Sequence, residues 1–257
     1  MRHVPTLLRR ELAAYFLGPM AFLILLAFQV MACLNFWELI ETLSRSQITQ
    51  NSLSLRSDPM NLYISGSSLF WIGLLVAIPA LTMRLLAEER RSGTIETLLT
   101  VPVTETEVVV SKWLAGVAMY LVLLLPFLIY LPFLYYQGKF WFDMGPLVSL
   151  LIGLTTVGIM FVAIGLFFSA LTRNQIIAAI WTFVALFLII VLTWLAYSNA
   201  VQRQAPWTEA LKYVTLLNQV QEFGVGRLDL RYLTLHLSVA AFMLYITVKV
   251  LASRRAG

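Results

Sequence analysis

The chain has 257 residues, 60% of them hydrophobic and 12% charged, with a formal net charge of +5 and a mean hydropathy of +0.83. Soluble domains carry about a quarter charged residues, so a soluble enzyme or a separate soluble domain is excluded, and the bulk of the chain belongs in a bilayer. The positive charge gathers on one membrane face, as set out below, and calls for no nucleic-acid partner.

Residues 2–16 place Leu8, Leu12 and Tyr15 at i, i+4 and i+7, with Arg9 and Arg10 facing away. That spacing predicts a short amphipathic helix lying in the membrane interface. A first span follows over about 17–37, close to the roughly 20 residues a crossing helix needs. The uncharged run from Leu12 to Trp37 is too long for the core of a cleaved signal peptide. Gln29 and Asn35 fall inside this span. They serve as hydrogen-bonding glue between helices or as contacts to a substrate. Cys33 is the only cysteine, so no disulfide forms within the chain and the residue reads as packing. The polar stretch 38–61 reads as a loop.

The second span, about 62–83, contains Pro79, and the third, about 113–136, contains Pro126 and Pro132. Such prolines kink helices and free carbonyls that neighbours must satisfy. Between the two lies the densest charge cluster of the chain, 85–112. Glu88, Glu89, Arg90 and Arg91 end the descending helix at the water boundary, and Gly93 suits a left-handed helix cap. Thr94 can then cap a short helix carrying Glu96, Leu98 and Leu99, with the acidic residue in its first turn. Pro102 stops that helix. Thr104 to Glu107 form a capping box that launches the third span. The expected result is a short helix held crosswise at the membrane surface by two long ones.

The fourth span, about 146–171, carries Gly165 and Ser169 at small-xxx-small spacing, which admits a closely packed helix. A tight turn at Arg173, Asn174 and Gln175 leads into the fifth span, about 176–196. The longest non-spanning stretch beyond it, 197–231, has helical spacing from Pro206 to Phe223 and stops at Gly224 and Gly226. The last span, about 232–251, opens near His236, expected at the interface, and closes on Lys249, Arg254 and Arg255.

With both termini inside, 11 of the 18 lysines and arginines fall on that face, against six of the 13 acids. The whole net charge then lies on the inner side, which predicts cytoplasmic termini. Catalytic patterns are missing. No GxxxxGK[ST] sequence is present, and only His3 and His236 could join a histidine metal site. Glu88 and Glu89 are adjacent and diverge around a helix, so they do not form a carboxylate pair for catalysis.

The run EERRSGTIETLLTVPV, followed by a helix rooted on Lys112, resembles the corresponding loop of type-2 (ABC-2-type) ABC transporter permeases. More narrowly it is similar to the group associated with gliding motility and nitrous-oxide-reductase maturation. SALTRNQIIAA and GRLDLRYLTLH resemble stretches of the same group. The resemblance implies an all-α integral membrane protein formed by a single permease domain, 1–257, with six transmembrane helices. Residues 1–16 would be an elbow helix and 85–112 a cytoplasmic coupling loop, while helices in 197–231 would dip partway in from the outer face. Glu88, Glu89, Arg90, Gly93, Thr94, Glu96, Leu98, Leu99 and Pro102 would couple the chain to an ABC ATPase present in two copies. ATP and Mg would be bound by that partner, so the chain itself is expected to hold no cofactor. Further implied partners are a second permease copy or related chain, membrane lipid, and an accessory periplasmic or membrane subunit. Gly165 and Ser169 offer packing for the second copy. The expected setting is the bacterial cytoplasmic (inner) membrane, and the expected activity is that of an exporter or mechanotransmitter. A stand-alone secondary transporter or channel is the alternative, disfavoured because deep charges and an inverted repeat are not visible. A membrane scaffold that only recruits partners is the third reading.

Overall fold

In the computed structural model the described residues are 3–48, 68–93, 104–138 and 144–255, and they form helices joined by short turns, with no strand among them. In chain order these are α1 (Val4–Leu17), α2 (Pro19–Ile48), α3 (Ser68–Thr82), α4 (Ala87–Ser92), α5 (Glu105–Gly138), α6 (Met144–Leu171), α7 (Gln175–Gln202), α8 (Thr208–Val214), α9 (Leu216–Gly224) and α10 (Leu230–Arg255). Thr94, Glu96, Leu98, Leu99 and Pro102 lie outside the described residues.

Among the described residues six helical stretches are long and apolar enough to cross a bilayer: α2, α3 continued through α4, α5, α6, α7 and α10. The all-α membrane architecture expected from composition is the one observed. Spans two, three and four are 67%, 61% and 67% buried over their most apolar windows, against 28%, 22% and 22% for spans one, five and six. The former make the core and the latter its wall, with Trp37, Ile180 and Phe242 turned outward. Exposed apolar side chains of this kind suit a lipid solvent rather than water.

One end of the bundle holds α1, α4, the start of α5 and the ends of α6 and α10. Leu85, Leu86, Val109, Leu166, Ala170 and Leu251 form a buried apolar cluster there, with Tyr15 and Trp113 packed against it.

At the opposite end the stretch expected as one helix is two, α8 and α9, meeting at Thr215. The Thr215 hydroxyl lies 3.2 Å from the carbonyl oxygen of Thr193, nine residues before α7 ends. At 1.5 Å per residue the turn sits roughly 13 Å back along α7 from its end. The pair is thus a hairpin that runs down beside α7 and returns. Its buried face is Leu216, Gln219, Val220 and Phe223, spaced i, i+3, i+4, i+7. The Phe223 ring occupies the position where a Cβ on Gly153 of α6 would stand, 2.2 Å away. His236 is fully buried rather than interfacial. Its Nε2 lies 2.8 Å from Gln219 Oε1 and its Nδ1 lies 3.1 Å from Thr156 Oγ1. Gln219 Nε2 donates to the Tyr213 carbonyl at 2.6 Å, which turns its amide oxygen toward the imidazole and makes Nε2–H the donor. One buried polar chain therefore ties the hairpin to spans four and six.

Candidate functional site

The charged stretch singled out in the sequence begins where the second span breaks. Met83, Arg84, Leu85 and Leu86 are good helix formers, yet α3 ends at Thr82 and α4 starts at Ala87. Several backbone groups at the break have partners other than their α-helical ones. Leu85 N–H turns to the Thr82 carbonyl at 3.2 Å, one residue short of its α-helical partner, which frees the Leu81 carbonyl. The Tyr15 hydroxyl of α1 donates to that carbonyl at 2.8 Å. Burial and the charge of Glu11 push the Tyr15 phenol above its ordinary pKa, so it stays protonated and able to donate. The N–H groups of Leu86 and Ala87 both donate to Ser169 Oγ at 3.0 Å. Ser169 in turn donates to the Met83 carbonyl at 3.1 Å. One donor and two acceptor lone pairs are all a hydroxyl has, and all three are in use.

Gly165, one turn before Ser169, lies under Thr82, whose Oγ1 is 2.2 Å from where a glycine Cβ would stand. The small residues of the fourth span therefore do admit a helix, and it is the chain's own second span. The packing surface expected there for a second copy is already occupied.

α4 is tied on three sides. Glu88 faces Arg84 at 3.0 Å in an i, i+4 pair. Glu89 points the other way, to Lys112 of α5 at 2.9 Å and to Arg10 of α1 at 3.2 Å. Lys112 also meets Glu11 of α1 at 3.0 Å and is only 2% exposed. Two acids and two bases thus form a neutral cluster joining α1, α4 and α5. Arg90 donates to the carbonyl of Ala170, among the orphan carbonyls that end α6, where the helix dipole favours a cation. Gly93 then adopts φ +74° as the left-handed cap of α4. Past the segment 94–103, Thr104 Oγ1 accepts from Glu107 N–H at 3.3 Å and Glu107 Oε2 accepts from Thr104 N–H at 3.3 Å. This is the capping box read from the sequence.

The structure therefore brings together Glu88, Glu89, Arg90, Gly93, Gly165 and Ser169 around the base of the second span. Sequence reasoning missed Lys112 as a buried tie, together with Tyr15, Arg10 and Glu11. One signal was available: a lysine between VVVS and WLAG, inside an apolar helix, needs a counter-charge. Among the described residues no cluster of side chains could hold a metal ion, and the groups here are used in binding one helix to another. What the arrangement can do is carry force. A short stub, fixed to three helices, leads into a segment spanning the gap between spans two and three.

Residues 11–252 match the model of a family described as ABC-2 family transporter protein. A search of curated proteins finds no match.

Proposed function

The chain belongs to the ABC-2 family of transporter proteins, as a multi-pass ABC transporter permease subunit, and we propose that a separate ATPase drives it through the segment 94–103. The observation that carries this reading is the fixation of α4. Glu89 and Arg90 tie the stub to α1, α5 and α6, so a push delivered to the segment beyond Gly93 reaches the bundle rather than dissipating in a loop. In this reading Thr94 caps a short docking helix that carries Glu96, Leu98 and Leu99, Pro102 stops it, and ATP and Mg stay with the partner. The chain acts as an exporter or mechanotransmitter of the motility and nitrous-oxide-reductase-maturation kind in the bacterial inner membrane.

Orientation follows from charge, with the termini and 94–103 in the cytoplasm. Cysteine labelling at positions 96 and 202 in a Cys33→Ala chain tests it, with only position 202 reached from outside.

Each chain has one such segment and an ATPase pair has two grooves, so the chain pairs with a second copy or a related permease chain. With Gly165 covered, the open face of α3 between α2 and α7 is the surface assigned to the second copy in this reading. Val76 and Ala80 lie there in apolar clefts bordered by Leu23 on one side and by Ile180 and Phe183 on the other. A partner ABC ATPase co-expressed with this chain should co-purify, and its hydrolysis rate should rise on reconstitution with the permease. An ATPase that neither binds nor responds contradicts the proposal.

A further inference from the structure

The second span is interrupted where its own sequence favours continuity. No glycine or proline stands between Leu81 and Ser92, and Pro79 acts a turn higher, against the carbonyl of Leu75. Local preference does not explain the break, so tertiary contacts must hold it. A continuous helix would carry six i→i−4 bonds between Met83 N–H to Pro79 and Arg90 N–H to Leu86, and three of them involve groups that have other partners here: Leu85 N–H to Leu81, Leu86 N–H to Thr82, and Ala87 N–H to Met83. In the structure the same groups are satisfied instead by Tyr15, by Ser169 and by one tightened turn. Broken and closed forms thus satisfy the same buried backbone groups with different partners. Closing would release two side-chain hydroxyls, one on α1 and one on α6. Such an element has two discrete arrangements, as a coupling device requires.

We propose that residues 83–86 are a two-state joint, held broken by the Ser169 hydroxyl and continuous when that pin is withdrawn. Ser169 is then a positioning residue that sets the angle between α3 and α4, and hence the direction in which 94–103 is presented. The inference rests on α4 being the base of the coupling segment, but its test needs no ATPase.

Spin labels at positions 72 and 91, both exposed, flank the joint in a full-length Cys33→Ala chain in lipid nanodiscs. A continuous helix would separate these α-carbons by roughly 28 Å, and a break brings them closer. Ser169→Ala should shift the distance distribution toward the longer value. Ser169→Thr, which keeps the hydroxyl, should leave the unsubstituted distribution in place. Tyr15→Phe removes the other pin from outside the spans and should shift the distribution in the same direction. The joint is overturned if Ser169→Ala and Tyr15→Phe both leave the distances unchanged. It is equally overturned if Ser169→Thr shifts them as far as Ser169→Ala, since packing rather than the hydroxyl would then be the cause. Loss of ATPase docking by variants at Leu98 and Leu99 leaves all these distances as they are, so the two readings fail separately.

Discussion

Lys112 shows how much one residue can organise at the base of the bundle. A cation with 2% of its side chain exposed must be neutralised where it stands, and Glu11 and Glu89 do so from two different helices. Removing one member of a buried charge set leaves the others uncompensated, which costs about 3–5 kcal/mol. Lys112→Ala should therefore destabilise the chain by that order, because the two carboxylates would keep only Arg10, whose side chain is 53% exposed. Glu88→Ala should cost at most about 1 kcal/mol, since its partner Arg84 is partly solvated and exposed pairs contribute little. Unfolding in detergent, followed by tryptophan fluorescence, separates the two. Equal losses would mean that the cluster is no more than a surface pair. The same contrast explains what was legible here. That Glu88 and Glu89 diverge follows from helix geometry, but which of them faces a buried lysine depends on Lys112 in the next span and on Arg10 in α1, 79 positions back.

Among the elements, those with local causes were readable and those with distant causes were not. The capping box at Thr104 and Glu107, the Gly93 cap and the spacing of Leu8, Leu12 and Tyr15 are each complete within a few residues. The break at 83–86 is the reverse case, because local propensity points to a helix and Ser169 overrides it from the fourth span. The α8–α9 hairpin lies between these extremes. Its apolar period was visible, but the period does not say what the face packs against. Its seat on the bundle is set by Gly153, which leaves room for Phe223, and by His236, which holds Gln219. His236→Ala would strand the buried amide oxygen of Gln219, at about 1–3 kcal/mol, while the Thr156 hydroxyl can still donate to the Gly153 carbonyl at 2.9 Å. Amide exchange in α9 should accelerate while α4 keeps its protection. Unchanged exchange in α9 would show that the apolar face alone holds the hairpin.

At the scale of the molecule, the two ends have different tasks. The end carrying the hairpin is closed by a polar chain across spans four and six. The end carrying the termini gathers α1, α4, α5 and α6 around one stub, and in the docking proposal the segment beyond Gly93 meets the partner. In the docking proposal Leu98 and Leu99 enter an apolar groove and Glu96 pairs with a base. Burying a leucine contributes roughly 1.5–3 kcal/mol, whereas an exposed ion pair adds at most about 1 kcal/mol, so the leucines should dominate. The direct test is retention of the co-expressed ATPase on purified permease carrying Leu98→Ala with Leu99→Ala, beside Glu96→Ala and the unsubstituted chain. The account predicts that the double variant inserts normally and loses the ATPase, while Glu96→Ala keeps most of it. Full retention by the double leucine variant would contradict the docking role of this segment.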